Sequence, residues 1–295
     1  MSRQQRLGIV FALNGALLVG LAVVGVAAHS LGVLSAAGDY LADALAIGLS
    51  ILTVRLAKRS PTAKLTFGYE RTTILAALAN AALVVAVMAA VLVAAIQRLL
   101  DTVPHVHGTA VIVVSAVAAV VMLIGALVLR GDQDLNMRSV LLDTGADAAA
   151  AAALAVTGIV IVTTGGLYWL DPSVALVVAV IIGYRAVALL REIADVLMES
   201  TPKGIDLHVV GAAIRESGEV SEVHDLHVWG LSSEMLLLSA HIVLVGHPTL
   251  EEAQQTVERV KAGLASRFGI GHATLETECE VCDTPDPHAS ITGTK

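Results

Sequence analysis

The chain has 295 residues, of which 56% are hydrophobic, 3% aromatic and 15% charged, and its formal net charge is −8. This composition excludes an ordinary soluble domain and indicates a membrane protein. The charge is uneven: residues 1–198 hold 12 Lys and Arg against 11 Asp and Glu, and residues 199–295 hold 6 against 15. We predict an apolar domain at 1–198, an acidic water-soluble domain at 199–283 and a disordered tail at 284–295. The acidic part argues against a nucleic-acid partner, which would require a clustered basic surface.

Six apolar stretches follow one another, each about as long as the 20 residues that cross a bilayer. They are residues 7–28, 34–57, 72–98, 109–129, 139–163 and 172–190. A signal peptide is excluded because the first stretch is longer than a typical signal core and further stretches follow it. Basic residues concentrate in alternate linkers, so the positive-inside rule predicts that both termini lie in the cytoplasm. We predict a multi-pass protein of the cell membrane.

The soluble part shows the periodicity of a small α+β domain. We predict helices at 205–216 and 249–268 and strands at 220–229, 235–245 and 273–278. Thr249 and Glu252 form the pattern of a capping box at the start of the second helix. The order helix, strand, strand, helix, strand predicts a compact sheet with its helices on one face.

Two pairs of aspartates interrupt the apolar stretches, Asp39 with Asp43 in the second and Asp143 with Asp147 in the fifth. Residues four apart share one face of a helix. Charge inside a bilayer is costly, so such residues usually face the bundle interior and mark a pathway or a site. We therefore expect the four carboxylates to meet near the middle of the membrane.

Four neighbouring carboxylates in an apolar bundle cannot all stay ionised, because burial and like charge both raise their pKa values. A divalent cation relieves the repulsion, so metal and protons would exchange at the site, as in a metal/proton antiporter. One alternative is a membrane metal sensor that signals through its soluble domain without moving ions. An intramembrane enzyme is disfavoured because it would need a substrate groove and two carboxylates, so we predict that the chain is not an enzyme.

Histidines and a cysteine pair mark a second candidate site in the soluble domain. His224 and His241 could share a sheet face, with Glu276 or Glu278 of the third strand beside them. Cys279 and Cys282 have the C-x-x-C spacing of half a tetrahedral zinc site. A solvated hairpin and a redox pair remain alternatives for the two cysteines.

Several runs of residues carry a resemblance to a known family: Phe67-Gly-Tyr-Glu-Arg-Thr-Thr-Ile-Leu-Ala-Ala-Leu-Ala-Asn80, Leu135-Asn-Met-Arg-Ser139, Asp171-Pro172, Thr201-Pro-Lys-Gly-Ile-Asp206, Val223-His-Asp-Leu-His-Val-Trp229 and Ser239-Ala-His241. The chain resembles the cation diffusion facilitators, and within them the zinc/cobalt/cadmium efflux branch, over residues 7–282. The resemblance implies six transmembrane helices, a ferredoxin-like cytoplasmic domain, a homodimer and proton-driven export of divalent metal from the cytoplasm.

The family's transport site, two residues four apart in each of the second and fifth helices, falls on Asp39, Asp43, Asp143 and Asp147. In this branch the first residue of each pair is commonly histidine, and here it is Asp39 and Asp143. The resemblance puts zinc first as the transported metal, with manganese, iron, cobalt and cadmium as alternatives. It also implies a structural or regulatory zinc site in the cytoplasmic domain, because metal-binding positions of relatives fall on His224, His241 and Glu278, and Cys279 and Cys282 resemble a terminal thiolate pair.

Overall fold

A computed structural model describes residues 3–57, 59–101, 103–129, 135–216, 218–232 and 235–280. The chain divides into two compact units, Met1–Arg55 with Ala76–Leu190 and Leu56–Leu75 with Arg191–Lys295. The elements in chain order are α1 (Arg3–Ala27), α2 (Leu31–Ala57), α3 (Thr72–Leu100), α4 (Gly108–Leu129), α5 (Leu135–Thr164), α6 (Leu170–Leu197), α7 (Leu207–Arg215), β1 (Val220–Gly230), β2 (Leu236–Leu244), α8 (Leu250–Phe268) and β3 (Ile270–Glu278). The predicted tail and Cys282 lie outside the described residues.

The six predicted apolar stretches are all helical, which confirms a helical membrane domain followed by an α+β domain. Among the described residues, four helical stretches are long and apolar enough to cross a bilayer: Leu31–Thr53, Thr72–Leu100, Thr144–Thr164 and Leu170–Leu197. The helices α1 and α4 supply the shorter apolar stretches Asn14–Ala27 and Gly108–Ile124. Helix α6 runs seven residues beyond the predicted end at 190. The prediction followed the apolar stretch alone, and the helix continues into the charged residues after it.

Two glycines explain how closely α4 and α5 approach each other. A Cβ atom added to Gly158 of α5 would lie 3.0 Å from the Gly108 carbonyl oxygen and 3.0 Å from the Ile112 nitrogen of α4. Small residues permit this backbone-to-backbone packing of helices in membranes. Helix α5, which carries Asp143 and Asp147, is therefore held tightly against α4.

The second unit contains a three-stranded sheet in the order β1-β2-β3. Strand β2 is central, antiparallel to β1 and parallel to β3. Side chains of α7 and α8 cover one face and form a buried core with alternate strand residues, among them Val223, Leu238, Ile242 and Ala273. This arrangement confirms the predicted ferredoxin-like domain, although β3 starts three residues earlier than predicted because Ile270 already pairs with Leu236.

The ends of α8 follow from its sequence. The Thr249 hydroxyl accepts from the Glu252 N–H while the Glu252 carboxylate accepts from the Thr249 N–H at 2.8 Å, which is the predicted capping box. At the other end Gly269 adopts φ = 68°, a left-handed conformation that glycine tolerates without strain. The chain therefore turns directly from α8 into β3.

The segment between α2 and α3 groups with the second unit, a feature that the sequence did not reveal. Arg71 forms an ion pair with Glu199 at 2.6 Å. The ring of Phe67 meets His272 of β3 edge-on at 5.8 Å. Through these contacts the segment covers part of the sheet face that carries no helix.

Candidate metal centres

The sheet register brings two histidines side by side on the helix-free face. His224 of β1 and His241 of β2 are direct cross-strand partners, and their ring centroids lie 5.2 Å apart. Val223 and Ile242, the neighbouring pair in the ladder, point into the core. Because side chains alternate between the two faces of a strand, burying that pair sends both imidazoles to the other side.

Glu278, the last residue of β3, joins these histidines. Its carboxylate lies 2.9 Å from His241 Nδ1 through Oε1 and 3.3 Å from His224 Nε2 through Oε2. The Glu278 side chain is only 6% exposed, whereas both histidines are half-buried. One potential ligand atom from each of the three residues lies within 4.8 Å of the other two. Two imidazoles and a carboxylate form a donor set that suits zinc.

Two further acids surround His241. Its Nε2 atom lies 3.5 Å from a Glu276 oxygen and 3.8 Å from an Asp225 oxygen. Glu276 is the direct β3 partner of His241, but its side chain is 68% exposed. Of the two glutamates that the sequence left open, Glu278 is therefore the one enclosed by both imidazoles. The surrounding negative charge favours a cation at this position.

Asp225 is a site residue that the sequence reasoning missed. It adopts a left-handed φ of 48° where the β1 register shifts between His224 and His227. This β-bulge turns Asp225 toward His227 Nε2 at 2.8 Å. The only sequence signal was the acid between two histidines, and a bulge cannot be located from strand periodicity alone.

The cysteine pair is only half described. Cys279 follows Glu278 directly, is exposed and carries a free thiol. Among the described residues it does not belong to the group formed by His224, His241 and Glu278. A thiolate zinc site with Cys282 therefore stays a prediction from the sequence.

The membrane unit brings together aspartates of α2 and α5. Asp39 and Asp147 line one small cavity of about 20 Å³, room for about one water-sized species. Asp43 lies one helical turn after Asp39 on α2. The backbone of Asp143 lies in α5, one turn before Asp147, and its side chain is outside the described part of the chain.

Two hydroxyl groups accompany the aspartates in this cavity, and the sequence reasoning did not single them out. Tyr40 of α2 and Ser115 of α4 both line it. Their oxygen atoms are buried and have no hydrogen-bond partner among the described residues. Buried polar atoms normally find a partner, so these oxygens leave bonding capacity for a small polar occupant such as water or a hydrated ion.

Comparison with known proteins covers nearly the whole chain. Residues 7–198 match the cation efflux transmembrane domain, and residues 202–280 match the cytoplasmic domain of cation efflux proteins. The metal cation efflux system protein CzcD of Cupriavidus metallidurans is 30% identical over 285 residues, which cover 96% of this chain and 89% of that protein. The zinc transporter ZitB of Yersinia pestis is 30% identical over 292 residues, covering 97% and 91%.

A third relative, the cadmium, cobalt and zinc/H(+)-K(+) antiporter of Bacillus subtilis, is 28% identical over 263 residues, covering 88% of this chain and 84% of that protein. The two matched domains follow each other in the same order as the two kinds of fold seen here, apolar helices first and the α+β domain second. The chain therefore belongs to the cation diffusion facilitator (cation efflux) family, in its zinc/cobalt/cadmium branch.

Proposed function

We propose that this chain exports a divalent metal ion from the cytoplasm across the cell membrane in exchange for protons. The observation that carries the proposal is the cavity in the apolar helical unit that Asp39 and Asp147 both line. A carboxylate in such surroundings is stable as a neutral acid or as the ligand of a cation, because burial opposes its free ionised form. Metal and protons therefore compete for the same oxygen atoms.

The proposed transport site consists of Asp39 and Asp43 on α2 and Asp143 and Asp147 on α5. Each pair spans one helical turn, so both members of a pair can contact an ion held between the two helices. Tyr40 and Ser115 supply neutral oxygens beside it. Alternate opening of this cavity to the two sides of the membrane, with both termini in the cytoplasm, then moves metal outward and protons inward.

Zinc is the first candidate for the transported ion. Relatives named for zinc, cadmium and cobalt support this choice. The oxygen donors at Asp39 and Asp143 also suit harder ions such as manganese, and iron remains an alternative. The relative named as an antiporter that exchanges metal for protons and potassium supports the proton coupling.

The cytoplasmic cluster of His224, His241 and Glu278 is proposed as a structural or regulatory zinc site. Cys279 and Cys282 would complete or adjoin it. We further propose that the protein is a homodimer joined through its soluble domains, which the match to the family's cytoplasmic domain supports. Metal bound to the sheet would then adjust the contact between the two copies.

The purified protein in proteoliposomes tests the proposal. An imposed pH gradient should drive zinc uptake, and Asp43→Ala or Asp147→Ala should abolish it. Asp101→Ala is a matched control, because Asp101 is an exposed acid just after α3 and should leave uptake unchanged. Native rates in both Asp43→Ala and Asp147→Ala would refute the assignment of the site.

A second candidate function, a metal sensor that transports nothing, is favoured by the three potential ligands that cluster on the sheet of the second unit. It predicts that zinc changes the contacts between two copies of the chain while the metal content of the vesicles stays constant. The same vesicle experiment therefore separates the sensor from the exporter.

A further inference from the structure

Helix α2 joins two separate regions of apolar packing in the membrane unit. One buried cluster combines α1, α2, α4 and α5, and the other combines α2, α3 and α6. Among the described residues, α2 is the helix with buried side chains in both, Ala37 and Tyr40 in the first and Leu31 in the second. The helix that carries Asp39 and Asp43 is thus the link between these two groups of helices.

Hydrogen bonds to a side chain of α6 hold the first turn of α2 in place. Asp171, the second residue of α6, is fully buried. Its carboxylate accepts hydrogen bonds from the Ser30 hydroxyl, from the Leu31 N–H at 2.7 Å and from the Gly32 N–H at 3.3 Å. The first N–H groups of a helix have no partner within the helix. A side chain from α6 therefore caps α2, although the two positions are about 140 residues apart.

The surroundings leave the start of α2 little freedom to move. The Ser30 hydroxyl oxygen also accepts from the Val33 N–H at 3.1 Å, and the Ser30 N–H donates to the Gly25 carbonyl at 3.1 Å. A Cβ atom on Gly32 would collide with Leu154 and come within 3.1 Å of the Asp171 carboxylate. Arg98 donates to the carbonyl of His29, the residue just before Ser30. The cap is thus enclosed on several sides.

We propose that Asp171 is a positioning residue for metal binding, which fixes the first turn of α2 on α6 and thereby sets the depth of Asp39 and Asp43 opposite Asp147. Asp39 lies eight residues after Leu31, about 12 Å along a stiff helix. A shift of α2 along its axis at the cap therefore reaches Asp39 almost undiminished. Ligand distances in metal sites must hold to about ±0.2 Å, so a slide of even 1 Å would loosen the site. The inference rests on the proposed transport site.

Asp171→Ala removes the cap and should raise the KM for zinc uptake about tenfold, the usual cost of losing a group that orients ligands. Ser30→Ala removes one of the three donors and should raise the KM by a smaller factor. Asp171→Asn keeps an acceptor oxygen and should recover part of the lost affinity. Asp101→Ala is the matched control at the same end of the bundle and should leave the KM unchanged. Loss of folded protein alone would lower the maximal rate without changing the KM.

Equilibrium zinc binding separates a failure of this inference from a failure of the proposed function. In a full-length background that carries both His241→Ala and Cys279→Ser, the candidate ligands of the soluble domain are disabled, and the remaining Kd reports the membrane site. The Asp171→Ala change should weaken that Kd about tenfold and Ser30→Ala by a smaller factor, whether or not wild-type protein moves zinc. Unchanged Kd and KM in Ser30→Ala, which retains both backbone donors and should fold, together with unchanged values in Asp171→Asn, would overturn the inference.

Discussion

His224, His241 and Glu278 come from three neighbouring strands, whereas the four membrane aspartates come from two helices in pairs four residues apart. On the sheet, each ligand is set by the pairing register of its strand, and two of the three donors are nitrogen. In the membrane unit, Asp39 and Asp147 reach one cavity from separate helices, and the donors there are oxygen. The two centres therefore differ in the rigidity of their frame and in the chemistry of their donors.

This difference indicates what each centre can do. Strands joined by a ladder cannot move apart without breaking backbone hydrogen bonds, so the cytoplasmic cluster is suited to holding a metal. Helices in a bilayer rely on side-chain packing and a few polar contacts, so they can shift relative to each other. A carboxylate site between such helices can release its ion when protons replace it, which suits transport.

The largest expected effect is that variants of the two centres lose different activities, transport in one case and zinc binding to the sheet in the other. Asp147→Asn should lower zinc transport by about 100-fold or more, because loss of a ligand exceeds the loss of a group that merely orients one. Binding of zinc to the cytoplasmic cluster should be unchanged. His241→Ala should weaken zinc binding to the cytoplasmic cluster, measured by titration of the full-length protein, and should leave zinc transport unchanged. Loss of both activities in either variant, with the fold intact, would show that the centres are not independent.

Glu278→Gln tests the buried carboxylate of the sheet. The substitution keeps the side chain's shape but removes the charge that lies between two imidazoles, so zinc affinity at the cluster should fall by about 10- to 100-fold. Glu276→Gln is the matched control, since that side chain is largely exposed, and it should change the affinity much less. Equal losses in the two variants would mean that general negative charge, and not ligation by Glu278, produces the affinity.

Replacing Asp39 and Asp143 by histidine would make the donors of the membrane centre resemble those of the sheet. The double variant should shift the preference for zinc over manganese by about tenfold, because imidazole binds zinc better than it binds harder ions. Transport with the two metals in competition measures the shift. An unchanged ratio would mean that selectivity is determined elsewhere in the pathway.

The smallest expected effect concerns helix α8, which packs against the sheet that carries the cytoplasmic cluster. Thr249→Ala removes the helix cap and should destabilise the soluble domain by about 1 kcal/mol, which hydrogen exchange of α8 amides would detect. The hydrogen bonds from Thr249 lower the pKa of Glu252. Their contribution is therefore present above the unfolded pKa of about 4.3 and is lost as the pH falls through the lower folded value. Zinc affinity at neutral pH should not change, and a large change would show that the site depends on this cap.

Much of this arrangement is visible in the sequence because it follows local periodicity. Alternating apolar residues around His224 and His241 predicted a shared sheet face, and the ladder pairs them directly. Apolar stretches interrupted by Asp39 and Asp147 predicted two helices with inward acids, and both line one cavity. The capping box at Thr249 was predicted to the residue because it depends on positions only three apart.

Three features of the structure could not be predicted from the sequence. The cap of α2 by Asp171 joins residues about 140 positions apart, and no periodicity signals such a bond. The bulge at Asp225 depends on a left-handed backbone that a non-glycine residue rarely adopts. The contact between Phe67 and His272 depends on how the α2–α3 segment folds against the sheet.

The register of the sheet also bears on how this protein can be altered. Slipping β1 by one residue against β2 would turn His224 into the core and Val223 out to the opposite face, so misregistered chains are penalised by burial alone. The apolar side of each strand thus guarantees the spacing of the ligands on the other side. Other metal-binding side chains can therefore replace those at positions 224, 241 and 278 to change the metal preference. The unchanged core would continue to specify the fold.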